Sequence, residues 1–179
     1  LSLNHIGSLP DNIGVLTKLN FVDLSGNSIP ELPSSFSNLK LLRNLYLDYN
    51  GRQNLQQEFE VLGLLPNLNV LDISGDSIDQ LPPSIGRLKS LQYLELSYNQ
   101  IEILPAEFSD LKNLQILSIN GDSQFNLKKN IDLLSKLPKL KELHLEGNHF
   151  SDIPPGIRSL VSLEELYLND NDLKVVPKE

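Results

Sequence analysis

One nine-residue pattern recurs seven times along this chain: LNFVDLSGN from Leu19, LRNLYLDYN from Leu42, LNVLDISGD from Leu68, LQYLELSYN from Leu91, LQILSINGD from Leu114, LKELHLEGN from Leu140 and LEELYLNDN from Leu163. The template is LxxLxLxxN, with Asp in place of the final Asn in two copies, and each of the 21 slots at its three aliphatic positions holds Leu, Ile or Val. A chain built this way does not gather its core around one centre, because each unit buries its apolar side against the units before and after it. The alternation within the nonapeptide adds a direction. Successive side chains of an extended strand point to opposite faces, so Leu45 and Leu47 turn one way and Tyr46 and Asp48 the other. Strands stacked side by side would make one apolar wall and one open face.

The second half of most units reads IxxLPxxIxxL, as in Ile29, Leu32, Pro33, Phe36 and Leu39 or Ile78, Leu81, Pro82, Ile85 and Leu88. With both halves in view, the chain resembles the leucine-rich repeat proteins over its whole length. The resemblance is to the 23-residue class found in bacterial repeat proteins and in eukaryotic cytoplasmic signalling scaffolds. It implies an α/β fold: a right-handed solenoid, or horseshoe, with a parallel β-sheet on the concave side and short helical, 3-10 or extended segments on the convex side. It also implies that the function is to grip another macromolecule. Asn27, Asn50, Asn99, Asn148 and Asn171, with Asp76 and Asp122 in two units, are then backbone-holding residues rather than ligands. Such a motif is specific for fold and nearly silent about partner.

Residues 1–179 read as one repeat domain of about eight units, the first and last incomplete. Leu1, Asn4, Ile6, Leu9 and Pro10 sit 23 residues before Leu24, Asn27, Ile29, Leu32 and Pro33, so the chain opens within a repeat. Neither end supplies the polar capping unit that a solenoid needs, and a fragment of a longer array is expected. The units from Leu42 and Leu114 are 26 residues long rather than 23, which gives a 72-residue triplet period. Those two lack the LP turn of the IxxLPxxIxxL half, and their Leu65–Pro66 and Leu137–Pro138 come only at the end of the unit. Phe59, Leu62 and Leu65, after the capping residue Asn54, have helical spacing, as do Ile131, Leu134 and Leu137 after Asn126. A convex helix is expected in each.

The chain has no cysteine and no Asn-x-Ser/Thr acceptor, which disfavours an animal extracellular setting. Cytoplasm is the expected location, with a bacterial cell envelope or secretion as the alternative. No apolar run is long enough to span a bilayer, so no membrane insertion is expected. There is no phosphate-cradling glycine loop, HExxH or nucleophile elbow. No catalytic residue and no cofactor are therefore expected.

Function is left to the open face, formed by positions 2, 3, 5, 7 and 8 of the nonapeptide. All five tyrosines lie there, as do Asp23, Asp48, Asp72, Glu95, Glu142, Glu146, Glu165 and Asp170, while lysine and arginine avoid positions 3, 5, 7 and 8 and gather before the strands, as Lys18, Lys40, Lys89, Lys112 and Lys139. Asp72 and Glu95, about 4.8 Å apart on neighbouring strands, repel by about 1 kcal/mol when well screened. Folding alone would do better with neutral residues. The candidate partner-binding residues are Tyr46, Asp48, Tyr49, Val70, Asp72, Tyr93, Glu95, Tyr98, Ile116, Glu142, His144, Glu146, Glu165 and Tyr167. The expected partner is a protein or peptide of basic or mixed charge, because aromatic residues concentrate at interface hot spots and nucleic acid calls for a basic surface. A sensor or targeting segment of a larger signalling enzyme, of GTPase or ubiquitin-ligase type, and a bacterial surface adhesin are the alternatives.

Two features of the face leave a choice open. Position 8 runs Gly26, Tyr49, Gly75, Tyr98, Gly121, Gly147. Either Tyr49 and Tyr98 wall a slot about 9.6 Å wide floored by Gly75, or each ring folds flat over its neighbouring glycine and closes it. Glu142, His144 and Glu146 alternate on one strand, and imidazole and carboxylate are zinc ligands. The two acids are roughly 13 Å apart along a strand, so no metal is expected and the patch reads as solvated or partner-facing.

Overall fold

The computed structural model describes residues 1–51 and 54–175. Seven three-residue strands, β1 (Phe21–Asp23), β2 (Asn44–Tyr46), β3 (Val70–Asp72), β4 (Tyr93–Glu95), β5 (Ile116–Ser118), β6 (Glu142–His144) and β7 (Glu165–Tyr167), form one parallel sheet in chain order. Parallel neighbours require a crossover, and the second half of each unit provides it. Like positions pair with like, so Phe21, Asn44, Val70, Tyr93, Ile116, Glu142 and Glu165 form one row across the sheet. This is the solenoid that the repeat pattern implies.

Inward leucines build the wall. Leu42, Leu45 and Leu47 are fully buried, and so are Leu91, Leu94 and Leu96 two units further on. Each such side chain contributes about 2 kcal/mol of apolar burial. The cover weakens at both edges of the sheet, where the inward Val22 of β1 is only half-buried and Leu166 of β7 is exposed.

The convex segments divide as the unit lengths require. In the 23-residue units Pro33, Pro82, Pro105 and Pro154 are extended and open 3-10 turns, Ser34–Asn38, Pro83–Arg87, Ala106–Asp110 and Pro155–Ser159. Proline brings no N–H that would go unmet, and its carbonyl accepts from Phe36, Ile85, Phe108 and Ile157 respectively. The two long units carry the expected helices, α1 (Leu55–Leu62) and α2 (Leu127–Leu134). The Asn54 side chain accepts from Gln57 N and that of Asn126 from Lys129 N, capping orphan donors of the first turn. Just past each helix, Lys40 donates to Leu64 O at 2.9 Å and Lys112 to Lys136 O at 3.0 Å. These two members of the basic rim tie neighbouring repeats together, where a cation suits a helix C-terminus.

The asparagine row does backbone work, as expected. Asn50 donates to Leu24 O and Leu47 O and accepts from Ile29 N; Asn99 donates to Ile73 O and Leu96 O and accepts from Asp76 N and Ile78 N. Asp122 can only accept. It takes Ile101 N at 2.7 Å and Gln124 N at 3.2 Å, and burial pushes its carboxyl above the usual range. Among the described residues no helix is long and apolar enough to cross a membrane.

Candidate functional site: the open sheet face

Every candidate residue lies at or next to the face of the sheet opposite the leucine wall. The fifth-position row runs Asp23, Tyr46, Asp72, Glu95, Ser118, His144, Tyr167, and the third-position row brings Val70, Tyr93 and Ile116 together on β3, β4 and β5. Tyr46, Asp48, Val70, Asp72, Tyr93, Glu95, Ile116, Glu142, His144, Glu146 and Tyr167 are half-buried; Glu165, Tyr49 and Tyr98 are exposed. Phe21 extends the aromatic part, its ring centroid 5.4 Å from that of Tyr46. A count of tyrosines passes over it, but its third place in the first nonapeptide is the signal.

In the middle of the face the acids are met from within the chain. Asp72 accepts from both N and Oγ of Ser74, at 3.0 and 2.8 Å, and Asp23 is held in the same way by Ser25. The spacing is local, an acid at position 5 and a serine at position 7 on one side of the strand. Glu95 accepts from Ser97 N at 2.9 Å and from the Tyr93 hydroxyl at 2.8 Å. Burial pushes the Asp72 carboxyl up to about 6; the two Ser74 hydrogen bonds offset part of that, and repulsion from Asp48 and Glu95 adds a smaller rise. Burial and then the Glu95 carboxylate push the Tyr93 hydroxyl up to about 12.

Position 8 resolves the first open choice against the slot. Every residue there has positive φ, from Leu3 (54°) and Gly26 (61°) through Tyr49 (54°), Gly75 (67°), Tyr98 (58°), Gly121 (63°) and Gly147 (67°) to Asp170 (56°). This left-handed backbone costs a tyrosine about 1–2 kcal/mol and glycine almost nothing. Tyr49 lies on Gly75, where an added Cβ would fall 2.4 Å from its ring, and Tyr98 lies on Gly121, where the distance would be 2.6 Å. The floor imagined for the slot is therefore covered by the Tyr49 ring. Glycine without a side chain offers a flat backbone shelf, and an aromatic face gains more by covering it than by standing in water. Leu3 leans over Gly26 in the same sense. The outer faces stay open, with Tyr49 55% and Tyr98 61% exposed.

The face changes character over β6 and β7. The rings of His144 and Tyr167 stack, centroids 4.3 Å apart and planes 9° from parallel. Glu142 Oε2 lies 3.8 Å from His144 Nε2 and Glu146 Oε1 3.7 Å from Nδ1, so the two acids converge on one imidazole although four residues separate them along the strand. Long side chains close a gap that backbone spacing alone leaves wide. Tyr167 donates its hydroxyl to Glu165, whose carboxylate raises the tyrosine's pKa. Glu146 Oε2 is buried with no hydrogen-bond partner among the described residues. His149 stands apart, 3.2 Å from Asp172. No three His, Asp or Glu side chains among the described residues are placed to hold a metal ion.

The chain belongs to the leucine-rich repeat family. A leucine-rich repeat region model matches residues 42–132, a two-copy leucine-rich repeat model residues 138–178, and a single-repeat model residues 18–39. Among solved structures it is similar to a leucine-rich repeat protein of Leptospira interrogans, with 33% identity and a TM-score of 0.76 over 99% of this chain and 44% of that one. It is also similar to the leucine-rich repeat domain of the type III effector XopL, with 26% identity and a TM-score of 0.79 over 99% of this chain and 62% of that one. TLR13, solved in complex with ssRNA13, shares 30% identity and a TM-score of 0.72 over 95% of this chain and 29% of that one. A "probably inactive leucine-rich repeat receptor-like protein kinase" of Arabidopsis thaliana is 51% identical over 49 residues, 27% of this chain and 6% of that protein. The chain thus spans less than two thirds of the length of each of these relatives. The fold is commonly an interaction module. It does not by itself exclude nucleic acid, as the TLR13 complex shows, and the expected exclusion is left resting on the charge of this face alone.

Proposed function

We propose that this chain is a non-catalytic recognition module that binds an extended protein segment of basic or mixed charge, laid across the strands of the open face. The observation that supports this most is the composition of the face in register: positions 3, 5, 7 and 8 hold tyrosines and acids on adjoining strands and no lysine or arginine at all. At β6 and β7 the supply of acceptors exceeds the donors the chain itself brings to them. Cationic side chains of a partner meet that excess, with the stacked His144–Tyr167 pair as an aromatic wall for them. The aromatic residues farther up the sheet supply apolar contact.

Triple substitution Glu142→Gln, Glu146→Gln and Glu165→Gln tests the reading. Affinity for a lysine-rich peptide, measured by calorimetry at low salt, should fall at least tenfold, and wild-type affinity should drop as salt rises. Unchanged affinity, or tighter binding of single-stranded RNA than of the peptide, contradicts it. A second reading, the recognition segment of a larger signalling protein, draws on the match to the receptor-like kinase, of which the aligned stretch is only 6%.

A further inference from the structure

Position 8 carries more than a packing rule. Its backbone N–H groups continue the sheet ladder: Leu3 donates to Ser25 O, Gly26 to Asp48 O, Tyr49 to Ser74 O, Gly75 to Ser97 O, Tyr98 to Asn120 O and Gly121 to Glu146 O, all between 2.7 and 3.0 Å. Repeats are therefore still one strand spacing apart there, about 4.8 Å. Because Leu3, Tyr49 and Tyr98 each lean onto the glycine of the next repeat, large side chains follow one another every second strand, about 9.6 Å apart. All three lean the same way, so their outer surfaces repeat at the same interval.

That interval selects the shape of what can lie along the row. An extended β-strand presents one face every second residue, about 6.7 Å, and misses the second anchor by about 3 Å. An α-helix returns to the same face after seven residues, about 10.5 Å, and drifts by almost 2 Å over three anchors. A polyproline II helix returns every three residues, about 9.3 Å, and stays within about 0.6 Å over the same three. We infer that Leu3, Tyr49 and Tyr98 form a preset row that binds a proline-rich segment in polyproline II form, one turn per anchor, running across the strands. The inference rests on the recognition role proposed above and specifies its ligand.

Two further observations fit this occupant. Among the described residues the Tyr49 and Tyr98 hydroxyls have no hydrogen-bond partner, and a polyproline II backbone leaves its carbonyls free to accept. Asp48 adjoins Tyr49, Asp72 lies on β3, the one strand between the repeats of the two tyrosines, and Glu95 lies on β4 three residues before Tyr98. Lysine or arginine between the prolines answers their charge.

Three probes decide it: the peptide (Pro-Pro-Lys)4, the equally charged but flexible (Gly-Gly-Lys)4, and cellohexaose as a flat-stacking glycan. Tyr49→Gly with Tyr98→Gly removes both rings while giving the left-handed positions the residue they favour, so the variant keeps its fold, which circular dichroism checks. Wild type should bind the proline peptide at least tenfold tighter than the glycine peptide, and the double variant should lose that preference while still binding both weakly. Equal affinity for the two peptides overturns the inference and leaves the basic-segment reading standing. A proline preference that survives in the double variant also overturns it, as does cellohexaose binding at the tyrosines in place of peptide. If neither peptide binds, both readings fall.

Discussion

The middle of the sheet face and its β6–β7 end carry similar residue types and use them in opposite ways. Between β3 and β4, Asp72 and Glu95 are answered by Ser74, Ser97 and Tyr93, and the nearby tyrosines Tyr49 and Tyr98 rest on glycine shelves. Over β6 and β7, Glu142 and Glu146 flank a single histidine at 3.7–3.8 Å, and a buried Glu146 oxygen has no partner among the described residues. The first region is set before any partner arrives. The second has electrostatic demand left over. Preset aromatic surfaces lower the ordering cost of binding and hold a partner, whereas unmatched charge at an open rim speeds and orients its approach.

The largest expected effect comes from breaking a shelf. Gly75→Ala combines a left-handed alanine, about 1 kcal/mol, with a Cβ 2.4 Å from the Tyr49 ring, which adds about 1–3 kcal/mol of overpacking. Urea unfolding should show a loss of about 2–4 kcal/mol, much of it recovered in Tyr49→Gly, Gly75→Ala. Gly147→Ala is the control, since its nearest neighbour would be Gly121 at 3.8 Å, and it should lose about 1 kcal/mol.

Next is Asp72→Asn. The folded carboxyl titrates near 6, above its unfolded value, so the stability tied to its proton is fully present below about pH 4 and lost as pH rises through 6. Asparagine can still accept from Ser74. After allowance for screening of a half-buried group, the variant should be about 1–2 kcal/mol more stable than wild type at pH 7, with no advantage below pH 4. A variant less stable at pH 7 would mean that the Ser74 hydrogen bonds outweigh burial.

The smallest effect separates backbone strain from ring packing. Tyr49→Ala and Tyr49→Gly lose the same ring, but only alanine pays for positive φ, so the glycine variant should be the more stable by about 1 kcal/mol in chemical denaturation. Equal stabilities would show that the turn relaxes once the ring is gone.

Much of this was legible in the letters. LxxLxLxxN carries its own periodicity, so strand order, register and the facing of Tyr46, Asp72 and Glu142 follow from counting, and Asn54 and Asn126 mark the two helices. The alternation of Tyr49, Gly75, Tyr98 and Gly121 is equally visible, but whether the rings stand as walls or lie as covers depends on a backbone angle that sequence spacing does not encode. The convergence of Glu142 and Glu146 on His144 escaped for a similar reason: distance along a strand fixes Cα positions, and glutamate rotamers decide the rest. Lys40 and Lys112 read only as part of a basic group ahead of the strands, yet they answer the carbonyls beyond α1 and α2, a contact made 24 residues away in the chain.

Recognition as proposed depends on the open face being the place where a partner lies. Two-dimensional amide NMR of the protein titrated with (Pro-Pro-Lys)4 tests that most directly. Saturable shifts should gather on residues 44–49, 70–75, 93–98 and 142–146, with the convex turns at Ser34–Asn38 and Ala106–Asp110 unmoved. Shifts confined to those convex turns, or none at millimolar peptide, would contradict it.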